Sequence, residues 1–236
     1  LRLVHRRRVV PDDRDAIADA VVELCGATAR RLPLLRPQFS IDWDRLADTL
    51  NSRTRLVILN IPHNPSGALL SRADLDRLAR ACVDARLGGV FAPNLSVGAV
   101  VLMHLAAIAG RFFDHAEIIE YHRDRKADAP SGTAAHTARL MQRARGDHFV
   151  HSPSRTITLD GVRGGESGGI GIHSVRLPGL VAHQEVILGG LGQTLTLRHD
   201  ATSNDSYVPG AVLAIKHAAA TTGLTVGLGA LLGLEP

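Results

Sequence analysis

Between Glu120 and Thr133 the chain reads EYHRDRKADAPSGT, its densest concentration of groups fit for proton transfer and anion binding. His122 is the one side chain in this window able to exchange a proton near neutral pH. Arg123 and Lys126 add fixed positive charge. Pro130 and Ser131 stand where a helix would begin. The first N–H groups there, those of Ser131, Gly132 and Thr133, have no carbonyl of their own helix to meet and form an anion site, and Gly132 lets a ligand approach closely. Together these groups would hold a carboxylate and protonate a reacting carbon. A plainer reading stands beside this one: Ser-Gly-Thr at a helix start is ordinary capping chemistry, and a His-x3-Lys spacing alone is weak.

Such groups act together only if flanking elements fix them. Residues 116–121 (AEIIEY) predict a strand, 122–130 a polar loop, and 131–145 a helix, the strand-to-helix arrangement in which α/β architectures expose groups to a ligand. Before them, 91–96 (FAPNLS) read as a loop and 97–113 as an apolar helix. After them, 156–162 (TITLDGV), 171–177 (GIHSVRL), 183–189 (HQEVILG) and 193–199 (QTLTLRH) alternate as strands do. Residues 207–220 predict a last helix, followed by a Gly/Leu-rich tail.

The first part of the chain has a different character. Residues 15–24 and 42–50 predict helices, the second with Asp42 as N-cap, and 55–60 (RLVILN) predict a buried strand ended by the turn-forming 61–67. Residues 71–85 predict an amphipathic helix. Ser71 is its N-cap, Asp74 takes the capping-box position, and Leu75, Leu78, Ala79 and Cys82 share one face. The two parts meet near residues 86–90.

The 236 residues suffice for one large domain or two small ones, and 45% hydrophobic with 21% charged residues is ordinary for a globular chain. Aromatics are only 3%, so the cores must be built from Leu, Val, Ile and Ala. The formal charge of +4 is almost all arginine and, apart from Arg6-Arg7-Arg8, is spread along the chain. Nucleic-acid binding wants a dense basic patch with aromatics interleaved, which argues against that partner; a mild positive field suits a dianionic substrate or a phosphorylated cofactor. No secretory signal and no apolar run of roughly membrane-spanning length is visible, so no membrane partner is expected. Cys25 and Cys82 lie far apart and form no CxxC pair, as expected of reduced thiols in a cytoplasmic protein. The chain opens on Leu1 rather than Met, so the natural N-terminus is expected upstream.

The pattern His122-x3-Lys126-x-Asp128-Ala129-Pro130-Ser131-Gly132-Thr133-Ala134 resembles the signature of the dihydrodipicolinate reductase family. The likeness runs from about residue 89 to 236: Phe91 to Gly98 resembles the hinge that touches the nicotinamide, RLPGLVAHQE (176–185) a later strand pair, and Leu197-Arg198-His199-Asp200 with Val208-Pro209-Gly210-Ala211 the return to the cofactor domain. The resemblance implies reduction of a cyclic dicarboxylate by hydride from NADPH or NADH, in the lysine and diaminopimelate pathway. His122 would be the general acid and Lys126 would assist it. Arg123, Ser131, Gly132 and Thr133 would bind substrate, and Ala92, Pro93, Asn94 and Leu95 would line the nicotinamide. It further implies a homotetramer and an α+β fold, a mixed β-sheet substrate and tetramerisation domain with helices on one face. The domains would be an incomplete segment 1–88, the substrate domain 89–207, and a helix and tail 208–236. Arg123 departs from the pattern, since the family has a second histidine there; arginine can pair with a carboxylate but cannot serve as a neutral acceptor.

The family's glycine-rich Rossmann turn is not found before Phe91, and Gly164, Gly165, Gly168, Gly169 and Gly171 read as a loop between strands. Cofactor affinity should therefore fall steeply. In place of that turn, residues 16–86 resemble a fragment of class I and II aminotransferases, a partial α/β segment in which Asn64 of Asn64-Pro65-Ser66-Gly67 would match the residue that bonds the pyridoxal ring. Neither Lys126 nor Lys216 is placed as a Schiff-base lysine, so pyridoxal phosphate is not expected and Asn64 is read as vestigial. No site for a metal is expected. The alternatives are a non-catalytic dicarboxylate-binding or oligomerisation module, an aminotransferase fragment, or a fusion that would explain the switch near 86–90.

Overall fold

Alternation of apolar and polar side chains, and the partners that each strand finds, decide how this chain folds. The computed structural model describes residues 2–5, 28–38, 40–49, 51, 54, 57–58 and 70–234. By compactness the chain divides into Leu1–Leu78 and Ala79–Pro236. The predicted helix 15–24, the turn 61–67 and Asn64 lie outside the described residues, as do Cys25 and most of the predicted strand 55–60.

In the first unit, strands β1 (Arg2–His5), β2 (Thr28–Arg31) and β3 (Val57–Ile58) form an antiparallel sheet in the order β2-β1-β3. Helix α1 (Trp43–Thr49) starts as predicted, with the Arg45 N–H donating to Asp42 Oδ1 at 3.0 Å. Its Leu46 packs with Leu32 and Ile41 in a small core. Helix α2 (Arg72–Asp84) opens on a complete capping box: the Asp74 N–H donates to Ser71 Oγ at 3.1 Å, and the Ser71 N–H to Asp74 Oδ2 at 3.0 Å. The other Asp74 oxygen accepts from Trp43 Nε1 at 3.0 Å, tying the start of α2 to α1. The boundary between the two units falls inside α2.

The second unit holds two sheets. Strand β4 (Gly88–Phe91) pairs in parallel with β10 (Gly223–Val226). Strands β5 (His115–His122), β6 (Gly165–Ser167), β7 (Ile170–Arg176), β8 (Ala182–Gly190) and β9 (Gln193–Ala201) form a mixed sheet in the order β6-β7-β5-β8-β9, parallel only between β5 and β7. Helices α3 (Val97–Ala109) and α4 (Gly132–Arg145) cover one face. Their Leu102, Ala106, Ala134, Ala138 and Met141 pack on Ala116, Ile118, Ile170, Ile172, Val186 and Leu188 of the sheet. Alanines at the helix contact let the backbones approach closely, which suits a core with few rings. This is the mixed sheet with helices on one face that the sequence implied. After a 3₁₀ turn at Asn204–Tyr207, helix α5 (Val208–Ala220) returns the chain to β4, and the short α6 (Leu228–Leu231) closes it. At Gly210 a Cβ would lie 2.0 Å from the Leu95 carbonyl oxygen, so only glycine lets α5 seat against the loop after β4.

Several elements differ from expectation. Residues 156–162 form bends and turns rather than a strand: Ile157, Leu159 and Val162 are exposed, and Gly161 and Gly164 turn the chain at positive φ. Only Gly165–Ser167, within the glycine-rich stretch read as loop, becomes the edge strand. Helix α3 stops at Ala109 rather than 113, where Arg145 takes the Phe113 carbonyl at 2.6 Å and Asp114 at 2.7 Å and turns the chain into β5. Strands β4 and β10 were not legible, since GGVF and GLTV carry no alternation. No described helix is long and apolar enough to cross a membrane, and no described cluster of His, Cys, Asp and Glu could hold a metal ion. Ile118 is fully buried at the centre of the second unit's core. Ile118→Ala is expected to cost about 2–5 kcal/mol of stability, read as a lowered urea midpoint with an unchanged slope.

Candidate active site

Period-two alternation puts Ala116, Ile118 and Glu120 of β5 on the buried face. Glu120 is thus a carboxylate at zero exposure, which is tolerable only if its oxygens are fully paired. Arg176, at the end of β7, meets it with both terminal nitrogens, Nη2 to Oε1 at 2.6 Å and Nη1 to Oε2 at 3.0 Å. The Ser131 N–H donates to Oε1 at 3.2 Å, and His122 Nδ1 bonds Oε2. Burial alone would raise the Glu120 pKa; the hydrogen bonds from His122, Arg176 and Ser174 outweigh it and bring the carboxyl down to about 2.

This knot shapes the loop beyond it. Arg176 Nη2 also donates to the Asp128 carbonyl at 2.8 Å. The Asp128 carboxylate holds Lys126 Nζ at 2.6 Å. Burial works against that carboxylate's ionisation, but Lys126, together with the backbone N–H groups of Asp128 and Gly132, keeps its pKa below the usual carboxylate range. Ser131 caps α4, its Oγ accepting from the Ala134 N–H at 3.1 Å. The first turn is fixed again on its far side: Thr137 Oγ1 donates to the Thr133 carbonyl at 2.8 Å and accepts from buried Gln184 Nε2 at 2.8 Å. Gly132 faces open space.

The predicted residues therefore fall as follows. His122 and Ser131 share one carboxylate, and Gly132 and Thr133 follow in the same helical turn. Lys126 joins through Asp128, and Arg123 stands exposed at the loop's start, its carbonyl accepting from the Lys126 N–H at 3.1 Å. The loop 92–96 is brought to this turn by Asn94, whose Nδ2 donates to Thr133 Oγ1 at 3.2 Å while its Oδ1 accepts from the Ser96 N–H at 2.8 Å. Pro93 is exposed, whereas Ala92 and Leu95 pack against the cluster of Val100, Met103 and Leu228 and support the loop from behind. A cavity of about 410 Å³ lies along α4, β6 and β7, rimmed by Pro130, Arg139, Glu166 and Ser174, and does not include His122 or Lys126 in its lining.

Two residues of this arrangement, Glu120 and Arg176, were not singled out from the sequence. The signal for the first was present: an acidic residue on the apolar phase of an alternating strand requires a buried cationic partner. The partner itself, 56 positions away, was not readable from spacing.

A family model described as dihydrodipicolinate reductase, C-terminus, matches residues 98–232. The chain belongs to the dihydrodipicolinate reductase family. Over 148 residues it is 52% identical to the 4-hydroxy-tetrahydrodipicolinate reductase of Dehalococcoides mccartyi, covering 63% of this chain and 56% of that protein. It is 44% identical over 197 residues to the enzyme of that name from Moorella thermoacetica, covering 84% of this chain and 73% of that one. Among solved structures it resembles a dipicolinate-bound dihydrodipicolinate reductase from Paenisporosarcina sp. TG-14, at 41% identity and a TM-score of 0.62, covering 68% of this chain and 61% of that one. The chain thus spans little more than half the length of the Dehalococcoides relative. A second model, aminotransferase class I and II, matches residues 16–87, as the likeness of that segment implied.

Because the Glu120 pKa lies near 2 in the fold against an ordinary 4.5, its stabilisation is present above pH 4.5 and drains away as pH falls towards 2. The loss should approach roughly 3 kcal/mol, and urea unfolding of the chain against Glu120→Gln between pH 5 and 2 reads it as a steeper fall in the unaltered chain. Arg176→Ala leaves that carboxylate buried without its main partner. It should cost about 3–5 kcal/mol at pH 7, and a thermal midpoint unchanged by the substitution would show the pair to be unimportant.

Proposed function

We propose that this chain is the substrate-binding portion of a 4-hydroxy-tetrahydrodipicolinate reductase, taking a cyclic dicarboxylate with His122 as general acid. The observation that carries the reading is the shared carboxylate. Glu120 holds the imidazole of His122 and the Ser131 N–H at once, which supports a role for that imidazole beside the opening turn of α4. The Gly132 and Thr133 N–H groups and the ammonium of Lys126, released from Asp128, would give a substrate carboxylate its counter-charge. Thr133, fixed by Asn94 and Thr137, orients the same turn. The second carboxylate of the substrate is left to Arg123, which has the planar fork for it. The relative from Paenisporosarcina, described as dipicolinate-bound, supports a ligand of this class.

A nicotinamide cofactor, NADPH or NADH, supplies hydride in this chemistry. The loop 92–96 fits its reactive end: it follows a parallel strand pair, the usual ligand-facing end of such sheets, and Asn94 joins it to Thr133. Among the described residues no glycine-rich turn leads from a strand into a helix to cradle the pyrophosphate. Ala92 and Leu95 hold the loop in place from behind, and Pro93 and Asn94 would be the residues to meet the ring. In this chemistry His122 would give its proton to the substrate, and Lys126 would steady the negative charge that the proton then neutralises. The cytoplasm is the compartment of such a reaction, and a homotetramer the expected assembly.

Calorimetry with pyridine-2,6-dicarboxylate, with and without NADH or NADPH, tests the reading. The unaltered chain should bind the dicarboxylate, and Lys126→Ala should weaken that binding about tenfold, the loss of one charge-assisted contact of roughly 1.5 kcal/mol. Absence of dicarboxylate binding would overturn the proposal. Dicarboxylate binding with neither cofactor bound would favour the second reading, a dicarboxylate-binding module without its hydride source.

A further inference from the structure

We propose that Glu120 is the positioning residue of the site, setting which nitrogen of His122 faces the substrate; the inference rests on the reading of His122 as the proton donor. Besides the hydrogen bond from Ser174, four contacts meet the Glu120 carboxylate. Oε1 accepts from Arg176 Nη2 at 2.6 Å and from the Ser131 N–H at 3.2 Å; Oε2 accepts from Arg176 Nη1 at 3.0 Å and bonds His122 Nδ1. A guanidinium and a backbone N–H can only donate. The carboxylate is therefore held ionised and acceptor-only, and the fourth partner, Nδ1, must carry a proton. The neutral imidazole is then the Nδ1–H form, with Nε2 as the atom free to gain and give the proton of the reaction. In the charged form Nδ1–H stays on Glu120 while Nε2–H faces outward, so the buried carboxylate also offsets the positive charge on the ring. When Nε2 gives up its proton, that proton leaves with the substrate and the ring returns to the Nδ1–H form without turning. Because Glu120 also fixes Ser131, the donor nitrogen and the anion-binding turn are set by a single side chain.

Replacing Glu120 by Gln makes the consequence sharp. The amide has one oxygen, and the Oε1 position, with two obligatory donors, takes it. The NH₂ then falls at the Oε2 position, where it donates to His122 Nδ1 and requires that nitrogen to be an acceptor. The neutral ring must move its proton to Nε2, the wrong form for accepting a proton on the substrate side. Aspartate keeps two acceptor oxygens but withdraws them by one methylene.

Nitrogen NMR of the full chain labelled at histidine, recorded at alkaline pH where imidazoles are neutral, reads the two forms directly. His122→Gln identifies the signals. Expected are Nδ1–H for His122 in the unaltered chain, Nε2–H in Glu120→Gln, and a return of Nδ1–H in Glu120→Asp. Should the single variant unfold, Glu120→Gln with Arg176→Met removes the guanidinium that opposes the amide nitrogen and is expected to show the same proton shift. An Nε2–H ring in the unaltered chain, or an unchanged Nδ1–H ring in folded Glu120→Gln, overturns the assignment. A structural role confined to pairing with Arg176 would lower stability and leave the tautomer alone. The same samples titrated with pyridine-2,6-dicarboxylate keep the two proposals apart: no binding to the unaltered chain removes the dicarboxylate reading, while the tautomer alone decides the role of Glu120.

Discussion

A carboxylate with no access to water has to be surrounded by donors, and Glu120 obtains its donors from three separate stretches of chain. β5 brings it inside by simple alternation, β7 supplies Arg176 across a parallel pairing, and the loop before α4 supplies the Ser131 N–H. Each partner is thereby committed: β7 must pair with β5 in one register, and α4 must begin at Ser131. The desolvation cost of such a group is several kcal/mol, so a fold that mispairs these strands would leave it unpaid in full. The knot therefore acts on the uniqueness of the fold as well as on its stability.

The remaining contacts repeat the same aim at lower cost. The cap from Ser131, the Thr133–Thr137–Gln184 relay and the bond from Asn94 all act on the first turn of α4. Apolar packing of Ala134, Ala138 and Met141 then fixes the axis behind that turn. A helix whose start is held from below, from the side and from the adjoining loop has little freedom to tilt. That rigidity keeps the turn itself in place while the anion it faces, Asp128 at rest, can change.

The sequence was informative where period and capping chemistry act locally. Strands β5, β7, β8 and β9 and helices α4 and α5 follow from alternation and helical spacing, and the boxes at Asp42 and Ser71–Asp74 formed as read. It misled at TITLDGV, whose alternating apolar residues stay exposed in bends and turns, and it was silent at β4 and β10, whose residues acquire strand form only by pairing with each other. The motif window gave His122, Lys126 and the opening turn of α4, because those groups lie within a dozen residues. Arg176 belongs to the same cluster through tertiary pairing alone, and no local pattern announces it.

Asp128 gives the loop a counter-ion of its own. With Lys126 at 2.6 Å and the Gly132 N–H acting on the same carboxylate, the positive end of α4 is neutralised before any ligand arrives. Binding of an outside carboxylate at Lys126 is in that case an exchange of anions, whose driving force is a difference between two similar salt links. On the proposed reading, discrimination would come from what a tethered aspartate cannot offer, namely a second carboxylate at a fixed distance from the first. A free monocarboxylate would compete with the tethered Asp128 at a disadvantage, whereas a rigid dianion would gain a further contact for the same exchange.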